Sequence, residues 1–413
     1  MYCLLYIDPG TGSMLFSILI SAVAALFFLA QRVILKIRFR ISGGRAAVSS
    51  EKIPYLIFSD HKRYDSVFEP VMDEFEKRRV KAVFWTASAD DPLLDKQYEY
   101  VETEFIGEGN KAYARLNLAN AGILLSTTPG LNVYQWKRSK NVQWYVHMPH
   151  SVGDLTLYRM FGLDFYDAIL MAGDFQKRKV RLLEKMRKEK PKELYEAGLT
   201  YFDSLDERVK KAGGGKKENG HFTVLLAPSW GVNSLFNRFG HKLIDALIST
   251  GYHLIIRPHP QSLTAEKDML DELMMAYPES DHLEWNFDAD NFEVLRRSDI
   301  MISDFSGVIY DFSLVFEKPV LYLESEFDTS KNDAAWIKDE IPWTVKSLPK
   351  VGIPIHEEDI SNIKDLIDKA SVSRELIRGR KQASDEDWTH KGKAAERVAD
   401  YMIGKYEKLN MEK

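Results

Sequence analysis

The sequence predicts an α/β protein with two doubly wound parallel-sheet domains that face a cleft, preceded by a transmembrane helix. Short apolar runs alternate with polar segments of helical period on both sides of a stretch rich in glycine and lysine. This alternation is typical of parallel sheets covered by helices. The chain has 413 residues, which fits two domains better than one core. One apolar run near the N-terminus is long enough to cross a bilayer.

That apolar run covers residues 14–30, and only Ser17 and Ser21 interrupt it. At ~1.5 Å per residue, a helix over residues 13–35 crosses a hydrocarbon core of ~30 Å. A cleaved signal peptide fits poorly because no basic residue precedes the run and no small-residue cleavage site closes it. A buried globular helix is the alternative. Asp8 is the only charged residue before the run, and basic residues follow it: Arg32, Lys36, Arg38, Arg40 and Arg45. The positive-inside rule therefore predicts a single-pass cell-membrane protein whose catalytic part is cytoplasmic.

The pattern divides the chain into five parts. These are a membrane anchor (1–45), an N-terminal domain (46–212), a flexible linker (213–220), a C-terminal domain (221–370) and C-terminal helices (371–413). The predicted strands cover residues 55–59, 82–86, 122–126, 142–147 and 168–172 in the first domain, and 222–227, 253–257, 300–303 and 320–323 in the second. Two such domains joined by a hinge place a ligand cleft between the carboxyl ends of both sheets.

The amino-acid composition excludes several classes of function and of structural site. The chain carries 56 Lys and Arg against 61 Asp and Glu, a formal charge of −5, so overall charge does not hold it to nucleic acid. Cys3 is the only cysteine, which excludes an intramolecular disulfide framework and a zinc site built from two or more cysteines of the chain. The oligomeric state stays open.

Polar residues follow the predicted strands 222–227, 253–257 and 300–303 of the second half, and those after the last two are the more informative. In Arg257-Pro258-His259-Pro260, the prolines fix the backbone around His259, and the Arg257 guanidinium offers a fork of donors to a pyrophosphate. Ser306 and Gly307 begin a predicted helix, where free N–H groups and the helix dipole favour a phosphate. The alternative is that Asp304 and Ser306 only cap that helix.

Taken in order, APSW (227–230), IIRPHPQS (255–262) and SDIMISDFSGVIYDFSLVFEKPVLYLE (298–324) resemble the CDP-glycerol glycerophosphotransferase family. This family comprises the teichoic-acid primases and polymerases, with relatives that build other phosphopolymers and surface glycans. Weaker matches lie at residues 166–173 and 198–205. The resemblance implies a GT-B fold, in which a Rossmann-like C-terminal domain binds the nucleotide and a Rossmann-like N-terminal domain binds the acceptor. It implies transfer of a polyol phosphate from a CDP-linked donor to a lipid-linked glycan, release of CMP, and no cofactor.

The resemblance also implies roles for individual residues. His259 matches the family's histidine that contacts the donor phosphates. Gly307 replaces the second serine of the family's DxSS…D pattern, and Gly231 stands where the family often has an arginine. The residues that the resemblance assigns to donor binding are Arg257, Ser229, Asp304, Ser306, Gly307 and Asp311.

The general base should be a histidine at the end of a first-domain strand, and there are two candidates. His147 fits the polymerases' Trp-His-Gly position, and His150 fits a His-Ser variant seen in other members. The spacing to Tyr166 and Asp167 favours His150, with His147 then a structural residue. A histidine on the acceptor side takes the proton of the attacking hydroxyl.

Two further features have competing interpretations. The triplet at 288–290 resembles a metal-binding DxD but follows no evident strand, so we expect no metal site. The basic segment 176–192 is either a membrane-surface helix near anionic lipid or an ordinary solvated helix face. Two other functions also remain open. One is a GT-B glycosyltransferase or sugar-nucleotide epimerase, and the other is a non-catalytic GT-B scaffold in envelope polysaccharide assembly.

Overall fold

A computed structural model describes residues 52–214, 220–324, 329–337 and 340–411. The predicted transmembrane helix and most of the predicted linker lie outside these residues. Within the ranges that are described, no helix is both long and apolar enough to cross a membrane.

The first sheet has seven parallel strands in the order β3-β2-β1-β4-β5-β6-β7. Phe58 on β1 pairs with Ser126 on β4, and Ser126 pairs with His147 on β5. The strand order reverses between β1 and β4, which makes that point the topological switch of the sheet. The strands are β1 (Ile53–Ser59), β2 (Ala82–Thr86), β3 (Val101–Phe105), β4 (Ala121–Ser126), β5 (Val142–His147), β6 (Ala168–Met171) and β7 (Glu193–Glu196).

The second sheet has six parallel strands in the order β10-β9-β8-β11-β12-β13. Its switch point lies between β8 and β11. The prediction of an α/β fold with two parallel Rossmann-like sheets is therefore confirmed. The strands are β8 (Thr223–Leu226), β9 (His253–Ile256), β10 (Leu283–Trp285), β11 (Ile300–Ser303), β12 (Val320–Leu323) and β13 (Gly352–Ile355).

Helices cover the faces of both sheets. In α5, Ser234 caps the N-terminus by accepting a hydrogen bond from the Asn237 N–H, and the buried side chains recur at helical spacing. The helices are α1 (Asp65–Lys77), α2 (Asn110–Leu116), α3 (Phe175–Arg187), α4 (Thr200–Lys211), α5 (Leu235–Ser249), α6 (Ser262–Ala265), α7 (Lys267–Ala276), α8 (Phe292–Arg297), α9 (Val308–Tyr310), α10 (Trp343–Lys346), α11 (Leu348–Val351), α12 (Ile363–Val372), α13 (Arg374–Asp387) and α14 (Ala394–Met411). A π-helical turn (Asp311–Val315) continues α9, and 3₁₀ turns cover Lys62–Tyr64, Pro92–Asp95, Leu155–Leu157, Asp333–Trp336 and Glu357–Asn362.

The last helix returns to the first domain. The Tyr406 ring of α14 packs edge-on against Tyr55 of β1, with 5.1 Å between ring centroids. A Cβ atom on Gly122 would lie 2.1 Å from the Tyr406 ring, so only glycine permits this close approach. Asp400 of α14 also pairs with Arg78 at 2.7 Å. The last helix therefore packs on the sheet that contains β1.

Residues 329–337 and 340–347, which follow β12, lie against the first domain. The backbone N–H of Asp333 donates to the Tyr158 carbonyl at 3.0 Å, and its carboxylate pairs with Arg187 of α3. The Trp343 N–H donates to Asp154 at 2.8 Å. These contacts join the two domains, and residues 329–337 and 340–347 are called the interdomain strap below.

Candidate active site

The carboxyl ends of the two sheets face a cleft of about 1090 Å³. His61, Arg63 and Asp65 line it from the first domain. The predicted residues that line it from the second domain are Arg257, His259 and Ser306. The structure thus brings together three residues of the predicted donor site. Ser229, Asp304 and Asp311 are buried, and Gly307 is exposed beside Ser306.

His259 follows β9 and is held between two prolines. Its Nδ1 atom accepts a hydrogen bond from the Gln261 N–H at 3.1 Å. The proton of the neutral ring is therefore on Nε2, which can donate to a phosphate oxygen. Burial lowers the pKa of His259, against the charges of Asp304 and Glu266. The ring is thus a neutral donor near pH 7.

Arg257 precedes His259 and is anchored by the neighbouring loop. Its guanidinium donates to the Asn286 side chain and to the Asp288 carbonyl, the latter at 2.8 Å. Burial lowers the pKa of Arg257, while Asp288 and Asp290 oppose this shift. The side chain therefore presents a positioned cation to the cleft and not the free fork of donors that the sequence suggested.

Asp304 does not line the cleft. It is fully buried and accepts hydrogen bonds from the N–H groups of Ser229 (2.9 Å), Leu235 (3.1 Å) and Phe305 (2.8 Å). Burial raises its pKa, and the hydrogen bonds partly offset this. Asp304 therefore joins the loops after β8 and β11 and positions Ser229, which is also buried. Asp304 is therefore placed to stabilise these loops and not to contact the CDP-linked donor.

Ser306 lies in the cleft wall, next to Gly307 at the start of α9. Gly307 has an ordinary helical φ of −60°, and no atom lies within 4 Å of the place where its Cβ would be. Glycine here leaves open space at the position of the second serine in the family pattern.

Asp311, one turn further on, is buried and accepts a hydrogen bond from the Tyr201 hydroxyl at 2.8 Å. Burial raises its pKa to about 7. Tyr201 belongs to α4 and itself lines the cleft, so Asp311 is connected to the cleft through Tyr201.

The two candidate bases have different surroundings. His147 is completely buried, with its ring centroid 5.3 Å from that of Tyr158 and 5.1 Å from that of Tyr166. Its Nε2 atom lies 3.2 Å from the Tyr158 hydroxyl. Burial lowers the pKa of His147 to about 3. His147 therefore belongs to the core, away from the cleft.

His150 lies outside that aromatic cluster and packs against Tyr64, with ring centroids 4.7 Å apart. Arg63 and Asp65, the neighbours of Tyr64 in the chain, both line the cleft. Burial lowers the pKa of His150 to about 4, and the charge of Arg63 acts in the same direction. His150 is thus neutral near pH 7, the form that can accept a proton.

Motif matching missed the first-domain wall of the cleft. His61, Lys62 and Arg63 follow β1 after one intervening residue, and Lys62 pairs with Asp90 at 2.8 Å. On the other side Arg208 of α4, which also lines the cleft, pairs with Asp290. The available signal was the sequence SDHKR, a polar and charged run at the end of an apolar strand.

The acidic triplet and the basic segment are both engaged in protein contacts. Asp288 accepts a hydrogen bond from Asn286, and Asp290 from the Phe292 N–H, at 2.8 and 3.0 Å. In the part of the chain that the structure describes, no three His, Cys, Asp or Glu side chains are grouped so as to hold a metal ion. In the basic segment, Lys179 and Arg187 form buried ion pairs, so neither of its predicted interpretations covers them.

Two parallel Rossmann-like sheets that face one cleft have a GT-B-like arrangement. Residues 200–403 match the family model described as CDP-glycerol:poly(glycerophosphate) glycerophosphotransferase. Over these residues the chain is a member of the CDP-glycerol glycerophosphotransferase family, which confirms the family resemblance seen in the sequence. No curated protein sequence matches the chain.

Solved structures with the same fold include the wall teichoic acid polymerase TagF, at 13% identity and a TM-score of 0.57, covering 92% of this chain and 98% of that one. A putative UDP-N-acetylglucosamine 2-epimerase from Listeria monocytogenes is similar at 14% identity and a TM-score of 0.54, covering 87% and 98% of the two chains. The UDP-GlcNAc 2-epimerase from Neisseria meningitidis, bound to UDP-GlcNAc, gives 13% identity and a TM-score of 0.54, covering 85% and 100%. At these identities the likeness shows the fold.

Proposed function

We propose that this protein transfers glycerol phosphate, or another polyol phosphate, from a CDP-linked donor to a lipid-linked glycan of the cell envelope and releases CMP. The observation that carries this proposal is the single cleft in which Arg257, His259 and Ser306 face the first domain. Family membership supports the donor, and a similar structure is that of TagF soaked with CDPG.

In the proposed reaction, an acceptor hydroxyl oxygen attacks the β-phosphorus of the donor. A new O–P bond forms, and the P–O bond to CMP breaks with its electron pair passing to CMP. Arg257, the Nε2–H of His259 and the backbone beside Ser306 stabilise the negative charge that grows on CMP. A neutral His259 suits this role because it donates a hydrogen bond without needing a second proton.

On the acceptor side, we propose His150 as the group that takes the hydroxyl proton. Its ring is neutral near pH 7, and it packs against Tyr64, whose chain neighbours line the cleft. His147 is enclosed by aromatic rings and serves packing.

We propose that residues 13–35 anchor the enzyme in the cell membrane, with the cleft in the cytoplasm. The apolar run and the basic residues that follow it support this arrangement. It would place the cleft at the leaflet that presents a lipid-linked acceptor, in the compartment where CDP-activated donors are made.

A donor screen tests the proposal against its rivals. The purified protein is incubated with CDP-glycerol, CDP-ribitol or UDP-GlcNAc, with and without a synthetic short-chain lipid that ends in glycerol phosphate. We expect CMP release from a CDP-linked polyol only when the lipid is present. Conversion of UDP-GlcNAc to its 2-epimer would favour the epimerase, and binding without turnover would favour a scaffold.

A further inference from the structure

The acidic triplet at 288–290 supplies the cleft with a carboxylate that the proposed reaction does not use. Asp290 lines the cleft on the second domain, and its carboxylate accepts hydrogen bonds from the Arg208 guanidinium and from the Phe292 N–H, the latter at 3.0 Å. Arg257, a cation of the predicted donor site, lies close enough for its charge to act on Asp290. Asp290 therefore has two cations of the same cleft beside it.

Arg208 reaches Asp290 from the opposite domain. It belongs to α4, and this helix is fixed to the first domain because Ser204 Oγ donates to the Ser66 carbonyl at 2.9 Å. The Arg208 guanidinium also lies over the Phe292 ring of the second domain, 4.2 Å from its centroid. The first domain thus supplies a cation to the donor side of the cleft.

The pair of Arg208 and Asp290 is open to solvent. The two side chains are 45% and 57% exposed, so their pairing contributes little to the stability of the fold. The pKa of Asp290 is nevertheless lowered: burial acts against this shift, and the hydrogen bonds and charge of Arg208, together with the charge of Arg257, outweigh burial. The carboxylate is therefore ionised at neutral pH, beside cations that a phosphate would need.

We infer that Arg208 is a further donor-binding residue, which Asp290 holds until the phosphates of the CDP-linked donor displace the carboxylate. A pyrophosphate is the better partner because it carries two negative charges and can take two parallel N–H donors from a guanidinium. The Asp290 carboxylate has the same sign of charge as the phosphates, so it competes with them for Arg208. This inference rests on the proposed function and adds to it a donor contact from the first domain that no motif assigns.

The test measures the binding of CDP-glycerol to the full chain by isothermal titration calorimetry, without an acceptor. Arg208→Gln removes the cation and should raise the dissociation constant on the order of 10-fold, because a hydrogen bond to a charged group is lost. Asp290→Asn removes the competing charge, keeps an oxygen that can accept from the Phe292 N–H, and should lower the dissociation constant several-fold. Opposite signs indicate competition, because loss of a merely structural pair changes binding in the same direction in both variants.

Lys210→Gln is the matched control. Lys210 lies on the same helix, is 73% exposed and pairs with Asp206, so its replacement should leave the dissociation constant unchanged. The inference is overturned if Arg208→Gln and Asp290→Asn both weaken binding or both leave it unchanged. Absence of CDP-glycerol binding by the wild type would contradict the proposed function and remove this inference with it. Binding with the expected variant effects but without transfer to any lipid would contradict the proposed function alone.

Discussion

The two histidines near the end of β5 lie three residues apart but differ in their neighbours. His147 fills a space between two tyrosine rings inside the first sheet, whereas His150 packs against the residue that separates two cleft-lining side chains. A general base must come within hydrogen-bond reach of the proton it takes. This requirement favours His150. Because one histidine is in the core and the other is close to the cleft wall, the two form a matched pair for mutation.

We expect His150→Ala to reduce transfer roughly 10²–10⁴-fold, the contribution typical of a general base, with little change in thermal midpoint. His147→Ala should lower the free energy of unfolding by about 2–4 kcal/mol, because it leaves a cavity in the core. The folded fraction of that variant should keep its turnover. Steady-state kinetics and thermal unfolding of both variants decide between them. A stable but inactive His147→Ala would reverse the two roles, and two active variants would show that no histidine base is used here.

Replacement of His259 tests the donor side. His259→Ala removes the Nε2–H donor and should reduce transfer on the order of 100-fold. Binding of free CMP should weaken less, because charge grows on CMP only as the bond breaks. His282→Ala, an exposed histidine of the same domain, is the control and should behave as the wild type. Near-normal turnover by His259→Ala would contradict the role given to this residue.

Among the elements, the helical turn after β11 contains Asp311, a buried carboxyl group that makes the stability of the fold depend on pH. Burial raises the pKa of Asp311 from 3.8 to about 7. The folded state therefore binds its proton more tightly than the unfolded state does, and this stabilisation is full below pH ~4 and lost as the pH rises through ~7. Asp311→Asn has no proton to lose, so it should gain stability relative to the wild type between pH 5 and pH 8. Urea unfolding of both proteins at the two pH values measures this, and a difference independent of pH would show that Asp311 titrates normally.

The basic helix α3 supports the domain arrangement through its buried pairs. The Arg187 side chain is only 5% exposed and pairs with Asp164 at 2.6 Å and with Asp333 of the interdomain strap. Asp333→Asn leaves that cation with less compensation and should lower the free energy of unfolding by about 3–5 kcal/mol. Lys190→Gln, on an exposed lysine beyond the same helix, should have almost no effect. Equal stability of the two variants in denaturant would show that the strap does not hold the domains together.

The central strands could be predicted from the sequence because both of their faces are buried, which gives continuous apolar runs. Residues 82–86, 142–147, 300–303 and 320–323 were predicted with the observed bounds. The strands that were missed, β3, β7, β10 and β13, lie toward the sheet edges. β3 reads VETEF and β13 reads GIPI, so partial exposure and a strand-breaking proline hide them.

Only part of the candidate site could be predicted from the sequence, because a motif records residue types and spacing but not the contacts that the fold creates. Motifs identified Arg257, His259 and Ser306 as candidates that line the cleft, because the family pattern has particular residue types at fixed spacing. Asp304 satisfies the same pattern, yet its role in joining two loops depends on backbone N–H groups that no motif records. The first-domain wall at residues 61–63 has no motif, and only the fold brings it to the cleft.

At the scale of the whole molecule, the C-terminal helix packs on the first sheet, and the interdomain strap contacts the first domain through Asp154, Tyr158 and Arg187. The two domains are therefore joined at several places. The proposed anchor would add a connection to the membrane. We expect a reporter fused after Lys413 to be cytoplasmic, because the basic residues follow the apolar run. An extracytoplasmic reporter would contradict both the orientation and the use of a cytoplasmic CDP-linked donor.

The most direct test of the central claim is the coupling of two products in one reaction. The purified protein is given CDP-glycerol and the lipid ending in glycerol phosphate. CMP is then measured by chromatography and the lipid by mass spectrometry. We predict that each CMP released is matched by one glycerol phosphate added to the lipid, and that the His150→Ala variant forms neither product. CMP release without growth of the lipid, or no turnover of any CDP-linked polyol by the wild type, would contradict the account.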